Sequence, residues 1–373
     1  MDYLSQDTQD LIYIATYILQ NPVIMFSMPG LHYLLLQSNL SDKLATFPVL
    51  ALIFILPLIR FDPCSVIHFM YAFSAVFMFL RISDIYFVNR KFVKLWEWRD
   101  YMEYFFTYDL SAIKEKKEEK EKKELHKRTV AYKDQNQDYF VRVGMITALK
   151  GIVLYLILRY IKYGRPDWMP LPYEMVHFKD MGLVMDQYLL SLALCIMLDL
   201  GVSISMHWWS FFFRIPYAPV MNQPYFSTSI RDFWANRWNL HVGLCLRRIC
   251  FEPVVAYFGY KPNQKIPPTV LMIGAFSTFV YSALMHEWLL FAMTDNWSYG
   301  EHFMFFTLHG VISTLEVVIR KFIIKTFGID LAKVVPKPLQ IIYANTVLML
   351  LAPLFLNPYI RDRVYLKYVD QFI

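Results

Sequence analysis

The chain has 373 residues, of which 57% are hydrophobic and 18% aromatic, and its formal net charge is +6. A soluble globular chain would be roughly 45–50% apolar, and here apolar runs recur from end to end, which excludes a soluble domain carrying a single anchor. Where positive charge clusters it is interleaved with acid, which excludes a nucleic-acid-binding arm.

The opening stretch Met1–Asp10 is acidic and lacks the basic start of a cleaved signal peptide, so insertion is expected to use the first membrane helices. Apolar runs predict spans over 11–37, 44–60, 64–88, 143–162, 183–206, 269–293, 302–320 and 339–357. The first is expected to be broken at Pro22 and again at Pro29-Gly30. Lys43 and Arg60 are placed to snorkel at the ends of the short second one. Cys64, Cys195, Cys245 and Cys250 lie in or beside apolar runs without metal-ligand spacing and read as small hydrophobes. The fold class implied is all-α: a polytopic integral membrane helical bundle of about eight or nine transmembrane helices around an internal tunnel or cavity. No long period repeats and no Gly/Ser-rich linker divides the chain, so a single domain over 1–373 is expected.

Residues 90–142 hold 14 Lys/Arg and 11 Asp/Glu, centred on Lys114–Glu124. This reads as a charged cytoplasmic loop under the positive-inside bias. Alternation then places 163–182 in the lumen and returns the chain to the cytoplasm near His207. Residues 241–260 are ambiguous, being apolar yet carrying Arg247, Arg248 and Glu252. If they span, the basic loop Arg320 to Lys337 becomes lumenal; if they lie in the interface or dip and return, it stays cytoplasmic. The second arrangement, with a lumenal C-terminus, is preferred. Further polar residues fall at membrane depth: Arg81 and Asp84, Lys150, Asp199, His309 and Glu316. Their number argues for a water-accessible cavity among the helices.

His286 lies within the apolar run Phe276–Met293. Hydrocarbon offers nothing to solvate an imidazole, so such a histidine marks a functional site by default. Ser282, one turn earlier on the same face, is placed to orient the ring. Upstream runs Pro224-Tyr-Phe-Ser-Thr-Ser-Ile-Arg-Asp-Phe-Trp-Ala-Asn-Arg-Trp-Asn-Leu-His241. Ser227 or Ser229 can cap a short helix there, with Asp232 in its first turn. Trp234 and Trp238 are expected to stack at i,i+4, with Arg231, Arg237 and Asn239 pointing elsewhere. An interfacial amphipathic helix explains the tryptophans. It does not explain an asparagine where the polar stretch turns apolar, ahead of a buried histidine.

Ser229-Ile-Arg-Asp-Phe-Trp-Ala-Asn-Arg-Trp-Asn239 resembles the S-x-x-D-F-W-x-x-R-W-N signature of the wax synthase-like branch of the membrane-bound O-acyltransferase (MBOAT) superfamily. Ser282-Ala-Leu-Met-His-Glu287 is similar to the S-x-x-x-H-E that follows it, and Phe305-Phe-Thr-Leu-His-Gly310 to the next F-x-x-H-G. Together they define a motif region over 225–315. One departure is Ala235-Asn236, where plant members usually carry Gly-Arg. The resemblance implies an acyl-CoA-dependent O-acyltransferase of the endoplasmic reticulum membrane that esterifies a lipophilic alcohol such as a fatty alcohol, sterol or terpenoid. Acyl-CoA enters as co-substrate; no bound cofactor and no metal are expected.

The implied roles agree with the chemistry of acyl transfer. The hydroxyl proton needs a base, for which His286 is suited, and the developing oxyanion needs a donor or orienting group, for which Asn239 is suited. Arg231, Arg237, Arg247 and Arg248 lie where the phosphates of coenzyme A would arrive. Trp234, Trp238, Ser282, Glu287 and His309 complete the expected substrate-binding set. His286 is expected about 25 Å along its span at the helical rise. Asn239 approaches from the cytoplasmic side, so either the 225–240 segment dips into the membrane or a tunnel carries the thioester inward. A zinc protease is excluded because H-E-x-x-H fails at Leu290, and a di-iron desaturase because the histidines are scattered. The competing class is a multi-spanning secondary transporter, which predicts paired repeats and no special role for Asn239.

Overall fold

The computed structural model describes residues 27–59, 66–107, 144–160, 163, 185, 188–201, 220–260, 264–294 and 300–361. In chain order, α1 covers 27–37, and α2 (Asp42–Ile55) continues into a 3₁₀ turn, Leu56–Leu58. α3 (Val66–Val93) and α4 (Trp98–Thr107) follow, then α5 over 144–159 and α6 (Tyr188–Gly201). After a 3₁₀ turn at Pro224–Phe226 comes α7 (Ile230–Asp232), which opens into a π turn, Phe233–Arg237. α8 runs from Leu240–Leu246 through a second π turn, Arg247–Phe251, to Glu252–Tyr257. α9 (Pro268–Thr294), α10 (Glu301–Phe327), α11 (Leu331–Val334) and α12 (Lys337–Arg361) complete the series. Among the described residues there is no strand, as the all-α expectation requires.

Helices are the answer a bilayer forces on a chain this apolar, because each backbone polar group must be satisfied within its own segment. Three described helices are long and apolar enough to cross: Pro268–Met293, Glu301–Phe327 and Lys337–Tyr359. They coincide with the last three expected spans. Only 17–28% of their apolar windows is buried within the protein. Leu271, Ile273 and Leu284 on α9, and Val311, Leu315, Val318, Ile319 and Phe322 on α10, face outward. In water such a surface would be an aggregation liability, and in lipid it is ordinary. The chain is an integral membrane protein.

Two expectations need correction. Residues 27–37 are helical straight through Pro29-Gly30, so no break falls there; Pro22 lies outside the described residues, as does Lys114–Glu124. The expected loop from Arg320 to Lys337 is largely helical instead, since α10 runs on to Phe327 and α11 follows. Arg320 clamps both oxygens of Asp330 (2.9 and 2.8 Å) across the turn at Gly328, and Lys325 in the last turn suits the negative end of the helix dipole.

The described residues fall into two compact units, one from Trp98 and before together with Cys245–Phe306, the other from Arg99–Leu244 together with Thr307 onward. In the first unit, α2 lays Ala45, Val49, Leu50 and Ile53 against Ala72, Ala75, Met78 and Ile82 of α3. Buried His32 meets Thr46 at 3.0 Å, which ties α1 to α2. α9 packs on α3 and on the second π turn. Gly274 permits that approach, because a Cβ there would come within 2.9 Å of the Phe251 ring. Fully buried Asp84 sits between two guanidiniums, Arg81 at 2.9 Å and Arg248 at 3.3 Å. The expected Arg81–Asp84 pair is thus a three-residue ionic cluster that joins α3 to the π turn of α8. The Arg81 guanidinium also contacts Cys245 Sγ at 3.8 Å.

In the second unit, α5, α6 and α12 share a core of Ile157, Leu190, Ala193, Ala352 and Leu356. Lys150 and Asp199, both anticipated at membrane depth, form an ion pair between α5 and α6. Paired in this way, they cost far less in an apolar setting than either would alone.

Candidate active site

α9 carries His286 because the run from Pro268 offers a helix long enough to cross and no competing turn residue. The start of α10 is fastened around it, all within the first unit. The His286 ring stacks on Phe306 with centroids 4.5 Å apart at 27°, and meets the His302 ring edge-on at 5.9 Å. His302 Nδ1 donates to the His286 backbone carbonyl at 3.3 Å, which fixes the protonated nitrogen, since a carbonyl only accepts. The Glu287 carboxylate accepts the Phe303 N–H at 2.9 Å, satisfying one of the amides that a helix start leaves unpaired. Glu287 is therefore engaged by backbone. Ser282 lies one turn before His286, and no hydrogen bond joins it to the ring. Two residues from His286, Trp288 stacks on Phe54 of α2 at 4.6 Å.

The signature segment belongs to the second unit and is built as a latch. Ser229 caps α7, its hydroxyl accepting the Asp232 N–H at 2.9 Å. The next two orphan amides, Ile230 and Arg231, donate to the two carboxylate oxygens of Glu316 on α10 at 2.9 and 3.0 Å. Asp232 gathers the loop: its carboxylate accepts from Arg237 Nε (2.7 Å), Asn236 Nδ2 (3.0 Å) and the Thr228 N–H (3.1 Å). Burial alone would raise the Asp232 pKa, but the bonds from Asn236, Arg237 and Thr228 outweigh it and hold the carboxyl below its usual range. The Arg237 guanidinium also donates to the carbonyls of Asn222 (3.4 Å) and Gln223 (3.3 Å). It is thus occupied within the loop, whereas the Arg231 side chain is exposed.

The tryptophans depart from the expected i,i+4 stack. Because Phe233–Arg237 is a π turn, closed by the Trp238 N–H on the Phe233 carbonyl at 2.8 Å, the residues brought face to face are i and i+5. Phe233 stacks on Trp238 (5.2 Å, 21°), while Trp234 meets Trp238 edge-on at 6.2 Å. Trp234 also packs edge-on against buried His309 of α10 at 5.4 Å, which joins the first and third motifs.

Asn239 follows at φ +37°, a left-handed conformation that asparagine tolerates better than most side chains. It begins α8: its Oδ1 accepts the Val242 N–H at 3.3 Å, and its own N–H reaches Met221 Sδ at 3.2 Å. With Oδ1 fixed, the amide can turn only one way. Its Nδ2 donates to nothing among the described residues, so an oriented neutral donor is available. Arg247 is exposed beside Glu252 at 3.4 Å, and Arg248 belongs to the Asp84 cluster. Among the described residues no group of His, Cys, Asp or Glu is arranged to hold a metal ion.

Sequence reasoning passed over His302 and Phe306, and gave Glu316 no partner. A second histidine, one turn before the Phe305–Gly310 motif, was the available signal for His302.

Comparison with known proteins bears out the resemblance over this segment. Residues 217–308 match the Membrane bound O-acyl transferase family. Among curated relatives, probable long-chain-alcohol O-fatty-acyltransferase 7 of Arabidopsis thaliana is 38% identical over 105 residues, 28% of this chain and 30% of the relative. Acyl-CoA–sterol O-acyltransferase 1 of Arabidopsis thaliana is 33% identical over 156 residues, covering 41% of this chain and 42% of the relative. Long-chain-alcohol O-fatty-acyltransferase of Simmondsia chinensis is 32% identical over 154 residues, with the same coverage. The chain thus spans less than half the length of these relatives.

Proposed function

We propose that this chain is an acyl-CoA-dependent O-acyltransferase that esterifies the hydroxyl of a lipophilic alcohol, of the fatty alcohol, sterol or terpenoid class. The reading rests above all on one observation: a histidine in a helix long and apolar enough to cross a bilayer, inside the stretch that is similar to acyltransferases named for long-chain alcohols and sterols. Nothing favours the transporter reading in return.

In this mechanism the alcohol oxygen attacks the thioester carbonyl carbon, the C–S bond breaks, and the hydroxyl proton passes to His286 and then to the departing thiolate. His286 acts as general base, and the Nδ2 of Asn239 donates to the oxygen on which negative charge develops. No cysteine or serine needs to carry the acyl group. Exposed Arg231 suits the phosphates of coenzyme A better than Arg237, which its own loop occupies. Trp234, Trp238, Ser282 and His309 form the proposed substrate contacts, with Glu287 holding the base's neighbourhood.

The protein is proposed to be multi-pass, with about eight or nine spans as one domain in the endoplasmic reticulum membrane. The 90–142, 207–241 and 320–338 segments would face the cytoplasm, where acyl-CoA is supplied. Labelling a cysteine placed at Lys333 with an impermeant reagent tests the topology; labelling from the lumenal side alone refutes it.

Purified protein given a panel of acyl-CoA and alcohols should form an ester and release coenzyme A, read by mass spectrometry. His286→Ala should lower turnover roughly 10²–10⁴-fold while the protein still folds. Solute transport without ester from a broad panel would sink the reading, and near wild-type turnover by His286→Ala would remove His286 as the base.

A further inference from the structure

His302 is fully buried, yet the proposed chemistry gives it no task. It stands in the first turn of α10 and makes two contacts with one residue of α9: its Nδ1–H donates to the His286 carbonyl, and its ring meets the His286 ring edge-on. Phe306, one turn further along α10, supplies the opposite kind of contact, a stacked face at 4.5 Å. The Glu287–Phe303 bond holds the same turn of α10 to the residue beside His286. The base is thus gripped at its backbone and on its ring by a single helical turn. A side chain that only filled space here would be apolar, since a buried imidazole without a bonded nitrogen costs free energy.

We infer that His302 is a positioning residue for His286, its Nδ1–H holding the backbone of the base while its ring limits rotation of the imidazole. The inference rests on His286 being the base of the proposed reaction. A base displaced by a fraction of an ångström still binds near its substrate but transfers the proton less often, so the loss belongs in kcat.

The test compares His302→Asn with His302→Gln. Asparagine sets its amide nitrogen close to where Nδ1 stands; glutamine sets it near Nε2 and leaves the carbonyl without that donor. Both are polar and of similar bulk, so a general folding defect would strike them alike. Two readouts are taken on the full-length protein in detergent: steady-state ester formation, and the rate at which diethylpyrocarbonate modifies His286, followed by peptide mass spectrometry. His302→Gln should lose on the order of 10-fold or more in kcat with KM within about twofold, and its His286 should be modified several-fold faster. His302→Asn should stay close to wild type in both. Equal behaviour of the two variants, with His286 modified at the wild-type rate, overturns the positioning role. Should the wild type form no ester, the acyltransferase reading fails by itself, and the modification rates still decide whether His302 holds His286.

Discussion

The carboxylate of Glu287 accepts the backbone N–H of Phe303 at 2.9 Å, so the residue next to the proposed base also caps the helix that follows. Acidic groups are favoured at helix starts by the local dipole, and this one arrives from a different helix. Glu287→Ala should remove that acceptor from a part-buried amide, at a cost of about 1 kcal/mol. Glu287→Gln, which keeps an acceptor oxygen, should lose less. Thermal unfolding in detergent, followed by tryptophan fluorescence, should rank the three proteins in that order.

Asp84 bridges two guanidiniums, that of fully buried Arg81 and that of nearly buried Arg248, and its removal should be felt more severely. Breaking a buried ion pair by deleting one partner typically costs about 3–5 kcal/mol, since the remaining charge is stranded. Asp84→Ala takes the carboxylate away from Arg81 and Arg248 together. Arg248→Met leaves the Arg81–Asp84 pair intact and should cost clearly less. The yield of monodisperse protein and its unfolding midpoint should separate the two, and equal midpoints would show that the cluster does not hold α3 to α8.

The Glu316 carboxylate holds the first two amides of α7, and with them the entry to the signature segment. Glu316→Ala should loosen that segment without touching the chemistry directly. Limited proteolysis should then cut within 222–239 several-fold faster than in wild type. Glu316→Gln, with one acceptor oxygen in place of two, should fall between.

Asp232 gives the same segment a pH dependence. Its folded pKa lies below the ordinary carboxylate value of about 3.9, so the latch favours the charged form. The stabilisation is therefore complete above about pH 4 and is lost as pH falls through the lower, folded value. Fluorescence of the tryptophans in 222–239 should be flat from neutral pH down to that window and then change. Asp232→Asn should abolish that dependence while weakening the hold on Arg237 at every pH.

Much of this was legible in the residues because hydrophobic length and motif order are local properties. The helix bearing His286 was expected at 269–293 and is found over Pro268–Met293, long and apolar enough to cross, since an uninterrupted apolar run leaves a bilayer few alternatives. The Ser229 cap and the place of Asp232 in the first turn followed from capping chemistry alone. What escaped depends on partners distant in sequence. Glu316 lies 86 residues from the Ile230 amide it accepts, and Arg248 lies 164 from Asp84. No periodicity announces such pairs. The left-handed backbone at Asn239 and the π turn before it were hidden for another reason, because the pattern that suggests an α-helix is the same one that a single surplus residue turns into a π turn.

That surplus residue also limits how the signature can vary. Within Phe233–Arg237 one more residue is wound into the turn than an α-helix would hold. Deleting one would relax it to ordinary helix and swing everything downstream by about 100° around the axis. Trp238 would leave the face of Phe233, and Asn239 would no longer point its amide where it does now. Substitution inside the turn is compatible with the architecture, as Ala235 and Asn236, both exposed, illustrate. A change in length is not. The number of residues between Asp232 and Asn239 therefore works as a ruler, and a library that varies composition here should retain folded members where one that varies spacing should not.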